Sequence, residues 1–284
     1  MQNQNINWYP GHMAKTKRLI AENLKLVDIA AEIIDARIPL SSRNPDLDRL
    51  LSDKKRIILL NKADLADEAL NREWQKKLNE QGIVSLVTDC KSGKGLSDFF
   101  SKVREILKEL LEKRNSKGIK GMPLTIMVLG VPNSGKSSFI NRLAFSNRAR
   151  VEDRPGVTRG KQWINLNNGF ELLDMPGILW PKIENPISGL NLAVTGAIKD
   201  EIMDSEGLAS YLLSFLNENY NQLIKERYKL ENTGGLKGYE LLEQVAGNRG
   251  FLKSGGERNT ERAASIVLDE FRGGKIGRIT LERP

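Results

Sequence analysis

Residues 130–138 read GVPNSGKSS. They follow an apolar run, LTIMVL at 124–129, and precede a segment with helical spacing of Phe139, Ile140 and Leu143. A strand that feeds a glycine-rich turn and then a helix is the setting in which G-x-x-x-x-G-K-[ST] cradles phosphate, because backbone N–H groups and a helix N-terminus point at one anion. Gly130 and Gly135 supply the turn, Lys136 is placed for the β- and γ-phosphates, and the Ser137 hydroxyl for Mg²⁺. Asn133, Ser134 and Ser138 complete the loop. The bland reading, a chance glycine-rich turn, does not explain why strand and helix both flank it.

Other loops say which nucleotide. RIILL at 56–60 reads as a buried strand, and NKAD (Asn61, Lys62, Ala63, Asp64) stands at its end. A carboxylate at Asp64 accepts from guanine N1–H and the 2-amino group, a donor pair that adenine lacks, and sites built on such pairs discriminate by ~10⁴-fold. Asn61 braces loop and base, and the Lys62 stem covers one face. After a further strand at 83–87, the loop DCKSGKG resembles the SAK loop of GTPases, which implies that the Cys90 backbone N–H, at the alanine position, meets guanine O6, with Asp89 and Lys91 on either side. The small buried side chain this position needs makes Cys90 structural rather than reactive. DMPG at 174–177 matches D-x-x-G: Asp174 reaches Mg²⁺ through water and the Gly177 N–H meets the γ-phosphate. Thr158, in PGVTRG, is placed to give its hydroxyl to Mg²⁺, with another residue of that loop as the alternative. Ile178 stands where a water-orienting glutamine is found in Ras-like enzymes, so slow turnover is expected from the chain alone.

With 284 residues the chain has room for two cores. A single cysteine excludes an internal disulfide framework and a multi-cysteine zinc site. No apolar run approaches the ~20 residues of a membrane span, and the polar start MQNQNINWYPGH lacks the order of a signal peptide, so a cytoplasmic protein without a membrane partner is expected. The net charge of +8 is uneven: residues 100–163 hold 14 Lys or Arg against 5 Asp or Glu. A polyanion besides the nucleotide is the functional reading of that excess, and a solvated helix face over 102–120 the bland one.

Taken in order, residues 1–12 read as unstructured, 14–26 as a helix with a basic start, and 29–34 as a strand leading into the loop DARIPLSSRNP. An amphipathic helix is expected over 96–113, then the linker NSKGIKGMP. After the 130–138 loop and its helix, a polar loop spans 147–162, followed by strands at 163–166 and 170–173. Six strands interleaved with helices predict a doubly wound α/β fold, a mostly parallel sheet with helices on both faces, over residues 1–184. Helical stripes (Leu208, Tyr211, Leu212, Phe215, Leu216; Ala264, Val267, Leu268, Phe271) predict a small all-α domain over 185–284.

The base-reading loops here precede the phosphate-reading ones, the reverse of the Ras-like order. In that order WYPGHM, DARIP, NKAD, GVPNSGKSS, PGVTRG and DMPGILWP resemble the circularly permuted GTPases, and in detail the ribosome biogenesis GTPase A family. The resemblance covers nearly the whole chain. It implies a circularly permuted P-loop GTPase domain, GTP and GDP as ligands with Mg²⁺, and hydrolysis coupled to a late step in assembly of the large (50S) ribosomal subunit. The partner would be the subunit precursor, touched at its rRNA by the helical domain; DNA is not expected. Asn133 matches the K⁺ ligand of potassium-dependent GTPases with a similar GxPNxGKS loop. His12 is by spacing an ordinary solvated histidine, and the resemblance assigns it a catalytic role. With DMPG just before the helical domain, the γ-phosphate would set that domain's orientation. A P-loop ATPase or kinase, a non-catalytic guanine-nucleotide-dependent RNA scaffold, and a GTPase acting on another RNA are the competing readings.

Overall fold

The structure is a computed structural model that describes residues 11–147, 150–152, 162–180, 183–198 and 204–284. It divides into two compact units, residues 1–184 with 282–284, and Asn185–Leu281.

In the first unit a helix, α1 (Gly11–Asn23), ends in a 3₁₀ turn (Leu24–Leu26) and leads to β1 (Ile29–Asp35). Then come α2 (Pro45–Leu50), β2 (Lys55–Asn61), α3 (Glu68–Glu80) and β3 (Val84–Val87). Two helices, α4 (Phe99–Ile106) and α5 (Lys108–Ser116), precede β4 (Leu124–Gly130) and α6 (Lys136–Ser146). Three strands close the unit: β5 (Arg150–Glu152), β6 (Gln162–Asn165) and β7 (Phe170–Asp174). The sheet order is β3-β2-β1-β4-β7-β6-β5. Neighbours from β3 to β7 run parallel, and β6 and β5 are antiparallel additions at one edge.

Alternation along the strands builds a core on each face. Ile29, Ala31, Ile33, Ile57, Leu59, Ile126, Val128 and Leu172 point to the side covered by α4 and α6, where Phe99 meets Phe139 edge to face at 5.1 Å. Ala30, Met127, Leu129 and Leu173 point to the other side, against Ile20 of α1 and Leu47 of α2, and Ile34, Ile58 and Leu60 meet Trp74 and Leu78 of α3. With the sheet buried on both faces, its parallel strands are continuous apolar runs, as the sequence suggested.

Local chemistry changes several boundaries. The first helix begins at Gly11, inside the stretch expected to be unstructured, and is held on the rest of the unit by Ile20 against Leu47 and by Lys17 against Asp46. The DARIPLSSRNP loop ends in α2, with the Asn44 side chain accepting from the Asp46 N–H and Pro45 in the first turn. The helix expected over 96–113 is two, bent at Leu107 (φ −98°, ψ 14°) so that Leu107 stays in the core while Leu110 and Leu111 pack against it. The six expected strands are present, and β5 is a seventh, drawn from the 147–162 loop onto the edge strand β6.

Residues 282–284 cluster with the first unit. The Glu282 carboxylate accepts from the backbone N–H groups of Leu40 (2.6 Å) and Ser41 (3.1 Å) and from the Ser41 hydroxyl, and its carbonyl from Trp74 Nε1 at 3.1 Å.

The second unit packs α7 (Pro186–Val194), α8 (Ser205–Asn219), α9 (Asn221–Tyr228), α10 (Gly238–Asn248) and α11 (Thr260–Arg272) around Leu208, Leu212, Leu216, Leu242, Val245, Val267 and Phe271. Arg272 donates to the Ala193 and Val194 carbonyls at 2.9 Å each, satisfying the end of α7. Burial alone would raise the Glu270 carboxyl, but Arg227 and Arg249 outweigh it and hold it below its ordinary range. Among the described residues no helix is long and apolar enough to cross a membrane.

Candidate functional site

Because β3, β2, β1, β4 and β7 run parallel, the loops after them emerge on one edge, where open α/β sheets bind ligands. Those loops carry DCKSGKG, NKAD, DARIP, GVPNSGKSS and DMPG.

The loop after β4 is shaped by left-handed residues at Asn133 (φ 60°) and Gly135 (φ 96°). Such reversals turn successive N–H groups inward and make an anion-binding concavity. A Cβ at Gly135 would collide with the Asn61 side-chain nitrogen, and one at Gly130 would lie 2.6 Å from the Ile33 carbonyl oxygen. Position 135 is therefore glycine on two counts, conformation and space. No side chain caps the start of α6, so its first N–H groups and its dipole face the loop.

Asn61 joins the base-reading loops to this cradle. Buried at the end of β2, it donates from Nδ2 to the Ser134 carbonyl (2.8 Å) and accepts at Oδ1 from the Cys90 N–H (2.9 Å). Ala63 N–H donates to the Thr88 carbonyl at 3.1 Å, stitching the two base-reading loops together. Within DCKSGKG, Asp89 Oδ1 accepts from the Lys91 and Ser92 N–H groups (2.9 and 3.2 Å). Desolvation tends to raise the Asp89 carboxyl, and the bonds from Ser92 and Lys91 win and lower it, keeping it ionised. Burial pushes the Cys90 thiol up to about 12, more than the hydrogen bond with Thr88 offsets, so it is protonated at neutral pH and no nucleophile. Asp64 is exposed on the turn after β2, so the pairing argument needs the base itself to exclude water there.

Two groups were not assigned a role by sequence reasoning. Asp35, the last residue of β1, is buried and pairs with Lys62 Nζ at 2.9 Å and with Arg37 through Nε (3.0 Å) and an η-nitrogen (2.7 Å). Burial would raise this carboxyl, and the Arg37 and Lys62 charges outweigh that and hold it well below the usual carboxylate range. Lys62, itself left-handed at φ 61°, is thus tied down by its tip while its stem lies along the base-reading loop. Arg142 of α6 donates to the Lys91 carbonyl, a second tie between DCKSGKG and the cradle. The only sequence sign of the first was charge set against an apolar strand, IAAEIIDAR; the second left none.

The phosphate end is closed by β7. Lys136 Nζ lies 2.5 Å from Asp174 Oδ1, and the Ile178 N–H donates to the Gly130 carbonyl at 3.1 Å, fastening DMPG to the cradle. Ile178 is buried with Met175, Trp163 and Leu129, so it serves the core and has no polar group to orient water. Ser137 and Ser138 are exposed in the first turn of α6. The Ser137 hydroxyl and the Asp174 carboxylate are hard oxygen donors that fit Mg²⁺ held mainly by phosphates, and among the described residues no cluster of three or more His, Cys, Asp or Glu offers a metal cage. The backbone of His12 is in α1, and its side chain and all of Thr158 lie outside the described residues.

The family model described as 50S ribosome-binding GTPase matches residues 125–235. A Bacillus pumilus protein named ribosome biogenesis GTPase A is 46% identical across 98% of this chain and 99% of its own length. The mouse mitochondrial ribosome-associated GTPase 1 is 34% identical across 97% and 90%. The solved structure of GNP-bound YlqF from T. maritima aligns with TM-score 0.63 at 30% identity, covering 95% of this chain and 98% of that one. A near-full-length match at this identity, on a fold whose parallel edge gathers the five loops, places the chain in the ribosome biogenesis GTPase A family.

Proposed function

We propose that this GTPase of ribosome assembly binds GTP across the loops joined by Asn61, with Mg²⁺, and couples its hydrolysis to a late step in maturation of the large (50S) subunit, whose precursor and rRNA it contacts. The observation that carries the reading is Asn61 itself: one buried amide is bonded to both the phosphate cradle and the DCKSGKG loop, so base and phosphates are read as one ligand. Asp64 selects guanine and Lys62, held by Asp35, lies along the base; the Cys90 N–H, expected from the sequence to meet O6, is instead committed to the Asn61 side chain.

Lys136 and the N–H groups of residues 133–138 hold the phosphates, and Ser137 and Asp174, with Thr158, hold Mg²⁺, which when bound neutralises charge developing between the β- and γ-phosphates. Gly177 meets the γ-phosphate, and the Asn133 side-chain amide oxygen would be a ligand for K⁺, which would supply positive charge against the phosphates. With Ile178 in the core, the residue that follows DMPG has no polar group to orient the attacking water, so hydrolysis is slow alone and accelerated on the particle, with His12 supplied by the N-terminal segment. The helical unit, residues 185–284, makes the RNA contact.

Multiple-turnover phosphate release, with and without purified large subunits, tests this reading. We expect stimulation by subunits and retention of GDP, not ADP, by the isolated chain. No stimulation would remove the ribosomal coupling, and ADP binding would remove the base assignment. Asp64→Asn should shift preference from guanine toward xanthine nucleotides in competition binding, by ~10²-fold or more.

A further inference from the structure

The opposite edge of the sheet gathers a different chemistry. Strands β1, β2 and β4 start there side by side, Ile29 facing Lys55 on one neighbour and Ile126 on the other. The segment entering β1 carries exposed Lys25 and Leu26, and the segment entering β4 carries exposed Lys117, Ile119, Lys120 and Met122. These segments are bonded together. The Asp28 N–H donates to the Thr125 carbonyl and the Thr125 N–H to Asp28 Oδ2, each at 2.9 Å, and the Thr125 hydroxyl donates to the Leu26 carbonyl at 3.3 Å. Lys54 Nζ donates to the Val27 carbonyl at 2.7 Å, which brings the start of β2 and Lys55 to the same rim.

Leu26, Ile119 and Met122 are 50%, 43% and 56% exposed, and they are three of the five large apolar side chains left exposed among the described residues of this unit. The charge around them is one-sided. Residues 113–123 contain four Lys or Arg and no Asp or Glu. Asp28 is neutralised by Arg114 at 2.6 Å, and Glu22, Asp53 and Glu112 are the carboxylates nearest in sequence. Among the described residues, Lys25, Lys55, Lys117 and Lys120 have no carboxylate partner.

We propose that this rim is an RNA-contact surface, suited to a single-stranded or looped segment. Lysines on flexible stems neutralise phosphates, and the exposed aliphatic side chains cover sugar and base faces that a duplex would hide. The rim lies the length of β4, about 20 Å, from the phosphate cradle, so RNA held here leaves the nucleotide loops open. The inference rests on the ribosomal reading above and assigns it a contact in the GTPase unit, apart from the helical one.

The test uses the full chain, a fluorescein-labelled mixed-sequence 20-nucleotide RNA and purified large subunits, over a salt series. K117Q/K120Q should weaken RNA binding about tenfold and reduce the slope of log affinity against log salt by about 1.4, two single-strand phosphate contacts. L26S/M122S should weaken binding with the slope unchanged. Both variants should keep wild-type GDP affinity, basal hydrolysis and melting temperature, as none of the four residues belongs to the nucleotide site. Wild type binding neither RNA nor subunits would overturn the ribosomal reading and this proposal with it. Wild-type binding that both variants retain would overturn the rim alone. So would loss, in K117Q/K120Q, of binding to phosphatidylglycerol vesicles with RNA affinity unchanged, which would make the rim a lipid contact.

Discussion

Asn61 and Asp35 show how much of the nucleotide site depends on side chains that hold other side chains. Asn61 uses its amide oxygen on one loop and its amide nitrogen on the other, so a leucine of similar size would leave the Ser134 carbonyl and the Cys90 N–H buried and unpaired. Asp35 pairs with both Lys62 and Arg37, and the Arg37 side chain is only 1% exposed. Removing one member of a buried charged set leaves the others uncompensated, a cost of about 3–5 kcal/mol. Asp35→Asn should therefore lower the melting temperature and weaken GDP binding. A purely structural Asp35 would weaken it equally whatever stands at position 62. The account expects instead that Lys62→Met removes most of the additional effect of Asp35→Asn on GDP affinity, measured as a double-mutant cycle with fluorescent GDP.

At the scale of elements, α2 is fastened to the sheet by charge. Arg56 on β2 lies 2.5 Å from Asp48 and 3.4 Å from Glu32 on β1, Arg43 lies 2.9 Å from Asp48, and Lys17 of α1 lies 2.8 Å from Asp46. Glu32 is buried, and desolvation, only partly offset by Arg56 and Arg43, raises its carboxyl to about 7. With the folded value above the unfolded one, the folded protein keeps a proton that the unfolded chain releases. This contribution is fully present below the ordinary glutamate range and is lost as pH rises through about 7, up to about 3 kcal/mol in all. Glu32→Gln should flatten this dependence, so that chemical denaturation at pH 8 against pH 5.5 shows a smaller loss than in wild type; an identical loss in both proteins would remove Glu32 as its source. Elements of this kind set the limit of what the sequence discloses. The apolar runs of β1, β2 and β4 and the loops that follow them were legible because a buried parallel strand has no polar face and the phosphate and base loops have fixed spacings. The helix start at Gly11, the bend at Leu107, strand β5 and the Asp35–Lys62 pair were not, because each depends on a partner distant in sequence or on a buried polar residue that breaks the pattern.

At the scale of the molecule, the base-reading strands come before the phosphate-reading strand in the chain, yet β1 stands between β2 and β4 in the sheet, so the site is assembled by spatial and not sequential order. This is the arrangement expected of a circular permutation, with α4, α5 and the linker to β4 joining what would otherwise be chain ends. One result of the order is that DMPG is the last nucleotide loop before the helical unit begins at Asn185. The segment proposed to meet the γ-phosphate is thus followed in the chain by the unit proposed to contact RNA, while the lysine-rich rim lies at the far edge of the sheet. The central claim is that nucleotide state sets affinity for the particle. Co-sedimentation of the full chain with immature large subunits, in a non-hydrolysable GTP analogue and in GDP, measures it directly: the account predicts at least tenfold tighter binding with the analogue, and equal binding in the two states would contradict it.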